Sequence, residues 1–109
     1  MGRGVPQGER MVVLEISLPG PLAPADLPRL LAAAENAVTA GGTEGVVLSG
    51  RLPVWAFAAL GHQYHPRPWV ATYDPRLGSA VVVENHLPGG PPVGTVLSLD
   101  GATTVQVMF

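Results

Sequence analysis

Runs of apolar residues, some alternating with polar ones, predict where strands and helices lie. Met11–Leu18 alternates Glu15 and Ser17 with apolar positions, which predicts a strand. In Ala25–Ala40 apolar residues recur at helical spacing, which predicts a helix with one apolar face. The residues of that face are Leu27, Leu30, Leu31, Ala34 and Val38. Gly45–Leu48 is wholly apolar, a pattern typical of a strand covered on both sides.

The middle of the chain predicts a second helix and a hairpin. The helix begins at Pro53, which suits a first helical position, and ends near Gly61. Trp69–Tyr73 and Ala80–Glu84 have strand composition. The segment Asp74-Pro75-Arg76-Leu77-Gly78 joins them, with proline and glycine placed for a tight turn.

The end of the chain predicts another hairpin. Thr95–Leu99 and Thr103–Met108 flank the turn-forming dipeptide Asp100-Gly101. The order is therefore β-α-β-α-β with antiparallel hairpin additions, in a single domain over residues 1–109. We expect an α/β fold, ferredoxin-like or Rossmann-like, with a mixed sheet flanked by two helices. The first three strands should be parallel because helices connect them, and residues 1–9 should form a flexible extension.

Composition narrows the classes of function. The chain has 109 residues, 47% of them hydrophobic and 13% charged, which is typical of one small globular domain. A net charge of -2 argues against a broad DNA-binding surface. No apolar run approaches the ~20 residues that a membrane span requires. The absence of a targeting segment predicts a cytoplasmic location, and the high apolar fraction predicts a subunit interface.

The side chains suited to chemistry are concentrated in Gly45–His86. Ser49-Gly50-Arg51 follows the second strand and Asp74-Pro75-Arg76 follows the third. Both loops should therefore lie at the carboxyl ends of the parallel strands, here called the upper edge, where α/β sheets bind ligands. Arg51 and Arg76 can each bind a phosphate through two hydrogen bonds. The alternatives are an ordinary strand-to-helix turn and a hairpin with a local ion pair.

The histidines are expected at the opposite end of the sheet, here called the lower edge. His62 and His65 precede the third strand and Asp74 follows it, so ~20 Å of strand separates them. Either these histidines are structural, or a site forms where the upper edge of one molecule meets the lower edge of another. His86 ends the fourth strand and should also lie near the lower edge if the hairpin is regular.

Three segments of this region, taken together, resemble the small CRISPR-associated ring nuclease family of type III systems. They are GVVLSGRLPVW, HQYHPRPWVATYDPRLGSAVVV and the spaced His86. Members of that family occur alone or fused to an AAA-type ATPase. The resemblance implies cleavage of cyclic tetra-adenylate, a second messenger of antiviral defence. It also implies homodimers that stack head to tail, as tetramers or longer assemblies, with the ring between them and manganese supporting cleavage.

The resemblance also implies roles for individual residues. It assigns His65, Asp74 and Arg76 to catalysis, and Asp74 and His86 to a divalent metal ion, with Mn²⁺ expected. The interval from Asp74 to His86 is one residue longer than the family pattern, and a bulge near Ser79 would absorb it. Whether the nucleophile is a metal-bound water or the ribose 2′-hydroxyl stays open.

A cyclic nucleotide also requires contacts to its phosphates and bases. The residues expected to bind it are Ser49, Gly50, Arg51, Trp55, His62 and Tyr64. Trp55 and Tyr64 carry rings that can stack on adenine, with core packing as the alternative. Two further functions stay open: a module that senses or sequesters a cyclic oligonucleotide without cutting it, and a purely structural subunit.

Overall fold

The computed structural model describes residues 10–109, so the expectation for residues 1–9 lies outside the described residues. Two helices and six strands make up the fold: β1 Met11–Ser17, α1 Leu27–Ala37, β2 Gly45–Gly50, α2 Val54–Gln63, β3 Trp69–Asp74, β4 Ser79–Asn85, β5 Val96–Leu97 and β6 Thr103–Met108. The strands form one sheet in the order β5-β4-β3-β2-β1-β6. The predicted α/β class, with a mixed sheet and two helices, is confirmed.

The three strands expected to be parallel are parallel. β2 pairs in parallel with both β1 and β3, and β3 and β4 form the predicted antiparallel hairpin. β2 continues through Ser49 and Gly50, which the sequence placed in the following loop. The carboxyl ends of β2 and β3 therefore meet at the upper edge, and the turn after α2 lies at the lower edge.

α1 is shorter than predicted, and α2 is close to its predicted length. α1 begins at Leu27, after a single 3₁₀ turn at Pro24–Asp26, and ends at Ala37. The carboxylate of Glu35 accepts hydrogen bonds from the Thr39 hydroxyl and the Ala40 amide, both 3.0 Å long. These hydrogen bonds hold the chain just after the helix. The helix therefore ends before Ala40, the end that the apolar pattern predicted.

Both helices cover the same face of the sheet. The predicted apolar face of α1 packs there, with Leu30, Ala34 and Val38 buried. This one-sided arrangement differs from a doubly wound sheet, in which helices cover both faces. The helices therefore cover one face of the sheet and leave the other face to be covered by the rest of the chain.

The predicted final hairpin is wrong. β5 pairs with β4, whereas β6 pairs in parallel with β1 at the other side of the sheet. Residues 98–102 cross the face that the helices leave open, and Asp100-Gly101 turns within this crossing. Leu97, Leu99 and Ala102 pack there on a cluster that includes Trp69 and Val82. Covering this apolar face stabilises the crossing more than local hairpin pairing would.

Tyr64 ties the end of α2 to the end of α1. The side chain is fully buried, and its hydroxyl donates a 2.6 Å hydrogen bond to the Val38 carbonyl oxygen. Burial raises the pKa of Tyr64 to about 12. Because the folded state holds this proton more tightly than the unfolded chain, the stabilisation is complete below about pH 10 and is lost as pH rises further.

Replacing Tyr64 with phenylalanine should remove this alkaline loss of stability. We expect Tyr64→Phe to lower the free energy of unfolding at pH 7 by about 1 kcal/mol, through the lost hydrogen bond. Above about pH 10 the gap between wild type and variant should narrow. Urea unfolding at several pH values measures this. Tyr73→Phe, at a partly exposed tyrosine, is the control, and a constant gap between wild type and Tyr64→Phe would contradict the account.

Candidate functional site

Two histidines and a glutamate meet at the lower edge of the sheet. His65 follows α2, Glu84 lies in β4 and His86 follows that strand. Nδ1 of His65 lies 3.2 Å from Oε1 of Glu84, and Nε2 of His86 lies 3.1 Å from the same oxygen. The two imidazole rings meet edge to face with their centroids 4.3 Å apart. These three residues are called the lower-edge cluster below.

A β-bulge in β4 brings Glu84 and His86 to this place. Val82 pairs with Ala71 and Glu84 pairs with Val70, which leaves Val83 as the extra residue. Paired residues share a face of the sheet, and Val70 belongs to the helix-covered face. A regular ladder would put Val83 opposite Val70 and would turn Glu84 to the other face. The bulge therefore directs Glu84 towards α2, where its Oε2 lies beside Gly61.

The turn that carries His65 is held on both sides by buried neighbours. Tyr64 precedes it with the hydrogen bond described above. Arg67 follows it and is 5% exposed. Its guanidinium donates to the carbonyl oxygens of Thr39 and Glu44 at 2.7 to 3.0 Å. His65 is thus presented to solvent on a rigid segment of backbone.

The lower-edge cluster has the donor set of a divalent metal site. One candidate ligand atom from each of its three residues lies within 4.8 Å of the others. Two imidazoles and one carboxylate form a mixed nitrogen and oxygen set, which suits divalent transition metals, manganese among them. The side chains are 63%, 28% and 38% exposed for His65, Glu84 and His86, so the cluster is open to a ligand. The residues therefore fit a divalent ion.

The upper edge carries Asp74 and Arg76, the other expected catalytic residues. Oδ1 of Asp74 accepts a 2.9 Å hydrogen bond from the backbone amide of Arg76, which closes the turn. The guanidinium of Arg76 is exposed and forms no ion pair within residues 10–109. The local ion pair considered as an alternative is thus not formed. Arg76 is instead available to an anion.

His86 and Asp74, the two metal ligands implied by the resemblance, lie at opposite ends of the β3–β4 hairpin. Asp74 pairs with Ser79 at the upper end, and Trp69 pairs with Asn85 at the lower end. One chain cannot bring the two to one ion. The extra residue of this hairpin lies at Val83, not near Ser79 where it was expected.

The Ser49-Gly50-Arg51 segment is only partly free to bind a ligand. Ser49 is 5% exposed within β2. Gly50 has a φ of 144°, and a Cβ there would collide with the carbonyl oxygen of Ile16, so the sheet itself requires glycine. Arg51 is exposed and makes no hydrogen bond to any described side chain. Of the three, Arg51 is the residue best placed to reach a phosphate.

The remaining expected ligand contacts lie on or beside α2. Tyr64 has no exposed ring face on which a base could stack, which corrects that expectation in favour of core packing. Trp55 is partly buried and packs against the helix-side core. His62 is exposed near the end of α2. Neither His62 nor Trp55 joins the lower-edge cluster.

Sequence reasoning missed Glu84. An acidic residue within the apolar strand AVVVEN was the available signal, because a charge in a strand requires a partner or solvent. His65, which precedes β3, and His86, which follows β4, supply that partner.

Comparison with known proteins places the chain in a family. A family model described as "CRISPR-associated protein (Cas_csx3)" matches residues 15–98. The chain belongs to the Cas_csx3 family. An Aquifex aeolicus (strain VF5) protein, described as an uncharacterized protein, is 48% identical over 56 residues, or 51% of this chain and 50% of that protein. The chain thus spans about half the length of this relative. Within residues 10–109, no helix is long and apolar enough to cross a membrane.

Deleting the bulged residue should preserve the lower-edge cluster. Without Val83, a regular ladder places Glu84 opposite Val70, as the bulge does now. We expect the deletion variant to bind Mn²⁺ with an affinity within about threefold of wild type. Loss of a contact that supports the site would instead lower the affinity by at least about tenfold. Isothermal titration measures the affinity, with Val83→Ala as the control that keeps the bulge. A deletion variant that folds but has lost Mn²⁺ binding would contradict the register argument.

Proposed function

We propose that this member of the Cas_csx3 family is a metal-dependent ring nuclease that cleaves cyclic tetra-adenylate to short linear adenylates. Its action would end type III CRISPR signalling. Family membership supports a role in CRISPR defence. The lower-edge cluster is the observation that carries the activity, because it joins an imidazole suited to proton transfer with a metal-ligand set.

Phosphodiester cleavage requires three things of the protein. Charge on the non-bridging oxygens must be neutralised, the nucleophile must be positioned, and the leaving oxygen must receive a proton. The unpaired guanidinium of Arg76 is suited to the first task. His65 is suited to proton transfer, since imidazole is the side chain used most often for it. Glu84 orients His65 through Nδ1, and Nε2 makes no hydrogen bond to any described residue.

Glu84 and His86 would hold the metal ion, which leaves His65 beside it for proton transfer. A divalent ion there supplies Lewis-acid stabilisation of charge on the phosphate. Glu84 adds the negative charge that an imidazole ligand lacks, which favours binding of a dication. Asp74 remains at the upper edge, where it fixes the turn that presents Arg76.

The distance between the two edges supports a site shared by two molecules. His65 and Arg76 lie beyond opposite ends of β3, which has six residues. Such a strand is ~20 Å long, too far for both side chains to reach one phosphate. A ring held between the lower edge of one molecule and the upper edge of another would contact both. This arrangement requires stacked copies, consistent with head-to-tail assembly of dimers.

Incubation with labelled cyclic tetra-adenylate tests the proposal directly. We expect linear products in the presence of Mn²⁺ and a strongly reduced rate in chelator. Retention of the intact ring would instead favour a sensor or sequestering module. Absence of both binding and turnover would favour a structural subunit.

Mixing two inactive variants should restore part of the activity if the site is shared. His65→Ala and Arg76→Ala should each lose about 10²-fold or more in rate, because each removes a group that acts in the transition state. In the mixture, the intact lower edge of Arg76→Ala molecules can face the intact upper edge of His65→Ala molecules. Single-turnover rates measure the recovery.

Arg29→Ala serves as the matched control for loss of an exposed arginine, since Arg29 lies on α1 and pairs with Asp26. A mixture no faster than its components would rule out the shared site, provided that both variants fold and bind the ring.

A further inference from the structure

A cavity of about 430 Å³ opens at the upper edge, beside the carboxyl ends of β1 and β2. Its walls are Glu15, Ile16, Ser17, Leu18, Gly20 and Arg51. The volume falls in the lower part of the range for small-molecule sites, roughly 300–1,000 Å³. It therefore suits one unit of an oligonucleotide and not a whole ring.

Glu15 is the unusual residue of this cavity. It is a partly buried carboxylate within β1, flanked in register by Ser49 on β2 and Gln106 on β6. The other two acids in strands, Asp74 and Glu84, accept hydrogen bonds from neighbouring groups. Among residues 10–109, no side chain or amide donates a hydrogen bond to the carboxylate of Glu15. No buried side-chain oxygen or nitrogen of residues 10–109 lacks a partner, so the Glu15 carboxylate reaches solvent and can accept a hydrogen bond from a ligand in the cavity.

Arg51 faces the same cavity but does not neutralise Glu15. The two side chains form no ion pair, although both line the cavity. A simple anion would be attracted by Arg51 and repelled by Glu15, and a simple cation the reverse. The pair together suits a ligand that carries both an anionic group and a hydrogen-bond donor. A ribonucleotide has both, a phosphate and a hydroxyl.

We propose that this cavity recognises one ribonucleotide unit of the ring and selects ribose over deoxyribose. Arg51 binds the phosphate, and Glu15 accepts a hydrogen bond from the 2′-hydroxyl. In a 3′–5′ linked ring both other ribose oxygens that could bear hydrogen are esterified, so the 2′-hydroxyl is the sugar's donor. That group is also the one by which a protein distinguishes RNA from DNA. The inference rests on the proposed function, since it takes the cyclic oligoadenylate as the ligand.

The cavity lies next to the groups already assigned to the upper edge. β2 pairs with β1 on one side and with β3 on the other, so Arg51 lies between Glu15 and Asp74. Neighbouring strands are ~4.8 Å apart, which puts β1 and β3 about 10 Å from each other. Adjacent units of one ring can therefore reach the Glu15 cavity and Arg76 together.

Binding of two rings by three proteins tests this. The ligands are cyclic tetra-adenylate and its 2′-deoxy counterpart, measured in chelator so that neither is cleaved. The proteins are wild type, Glu15→Gln and, as a control, Glu44→Gln at an exposed loop residue. We expect wild type and control to prefer the ribose ring by about tenfold or more, the usual effect of one charged hydrogen bond. Glu15→Gln should show a smaller preference, because its amide oxygen accepts only an uncharged, weaker hydrogen bond from the 2′-hydroxyl. Loss of the repulsion between Glu15 and the phosphate should favour both rings alike.

The outcomes separate this inference from the proposed function. Wild type that binds both rings equally would overturn the role of Glu15 and leave ring binding intact, whatever the variant does. So would a Glu15→Gln protein that loses affinity for both rings alike, or that keeps the wild-type preference. Wild type that binds neither ring would overturn the proposed function, and the inference with it.

Discussion

The register of β4 against the end of β3, adjusted by a bulge, determines what the lower edge of the sheet presents. Because side chains alternate between faces, a shift of one position moves every later residue of the strand to the other side. The bulge at Val83 makes that shift near the end of β4, so Val82 still packs into the core. The same strand therefore supplies apolar side chains to one face and, two residues later, a carboxylate to the other. The geometry of the lower-edge cluster depends on this register.

The chain holds its candidate catalytic groups on rigid supports at both ends of the sheet. At the lower edge, buried Tyr64 and Arg67 hold the turn that exposes His65, each through bonds to carbonyl oxygens of the segment after α1. At the upper edge, the Asp74 carboxylate closes the turn that exposes Arg76. In both places a buried or bonded residue fixes the backbone, and its neighbour faces solvent. Such preorganisation is what a site assembled between two molecules requires, since neither half can adjust to the other without cost.

Local patterns in the sequence predicted much of this fold. The parallel β1-α1-β2-α2-β3 unit follows from helical periodicity and apolar strands, and the two ends of the sheet follow from that unit. The end of the chain could not be predicted in this way. Asp100-Gly101 does form a turn, yet β6 joins β1, because an open apolar face around Trp69 had to be covered. The residues that form this face are distant in sequence from β6, so no local pattern predicts which strand β6 joins.

The candidate site shows the same division. The separation of His65 from Asp74 was predictable from strand length alone. The partnership of His65 with Glu84 was not, since nothing in the run of valines marks which one is extra. The resemblance, and not the strand pattern, assigned His86 to a metal ion with Asp74, which lies at the far end of the hairpin. The position of a bulge depends on the pairing along both strands, which the sequence of one strand does not show.

Manganese binding by three proteins tests most directly whether the lower edge is a metal centre. Electron paramagnetic resonance can count bound Mn²⁺ in wild type, Glu84→Gln and Asp74→Ala. The account predicts one ion per chain in wild type and in Asp74→Ala, and affinity weakened by at least about 100-fold in Glu84→Gln. Equal binding by wild type and Glu84→Gln, or loss of the ion in Asp74→Ala alone, would contradict it.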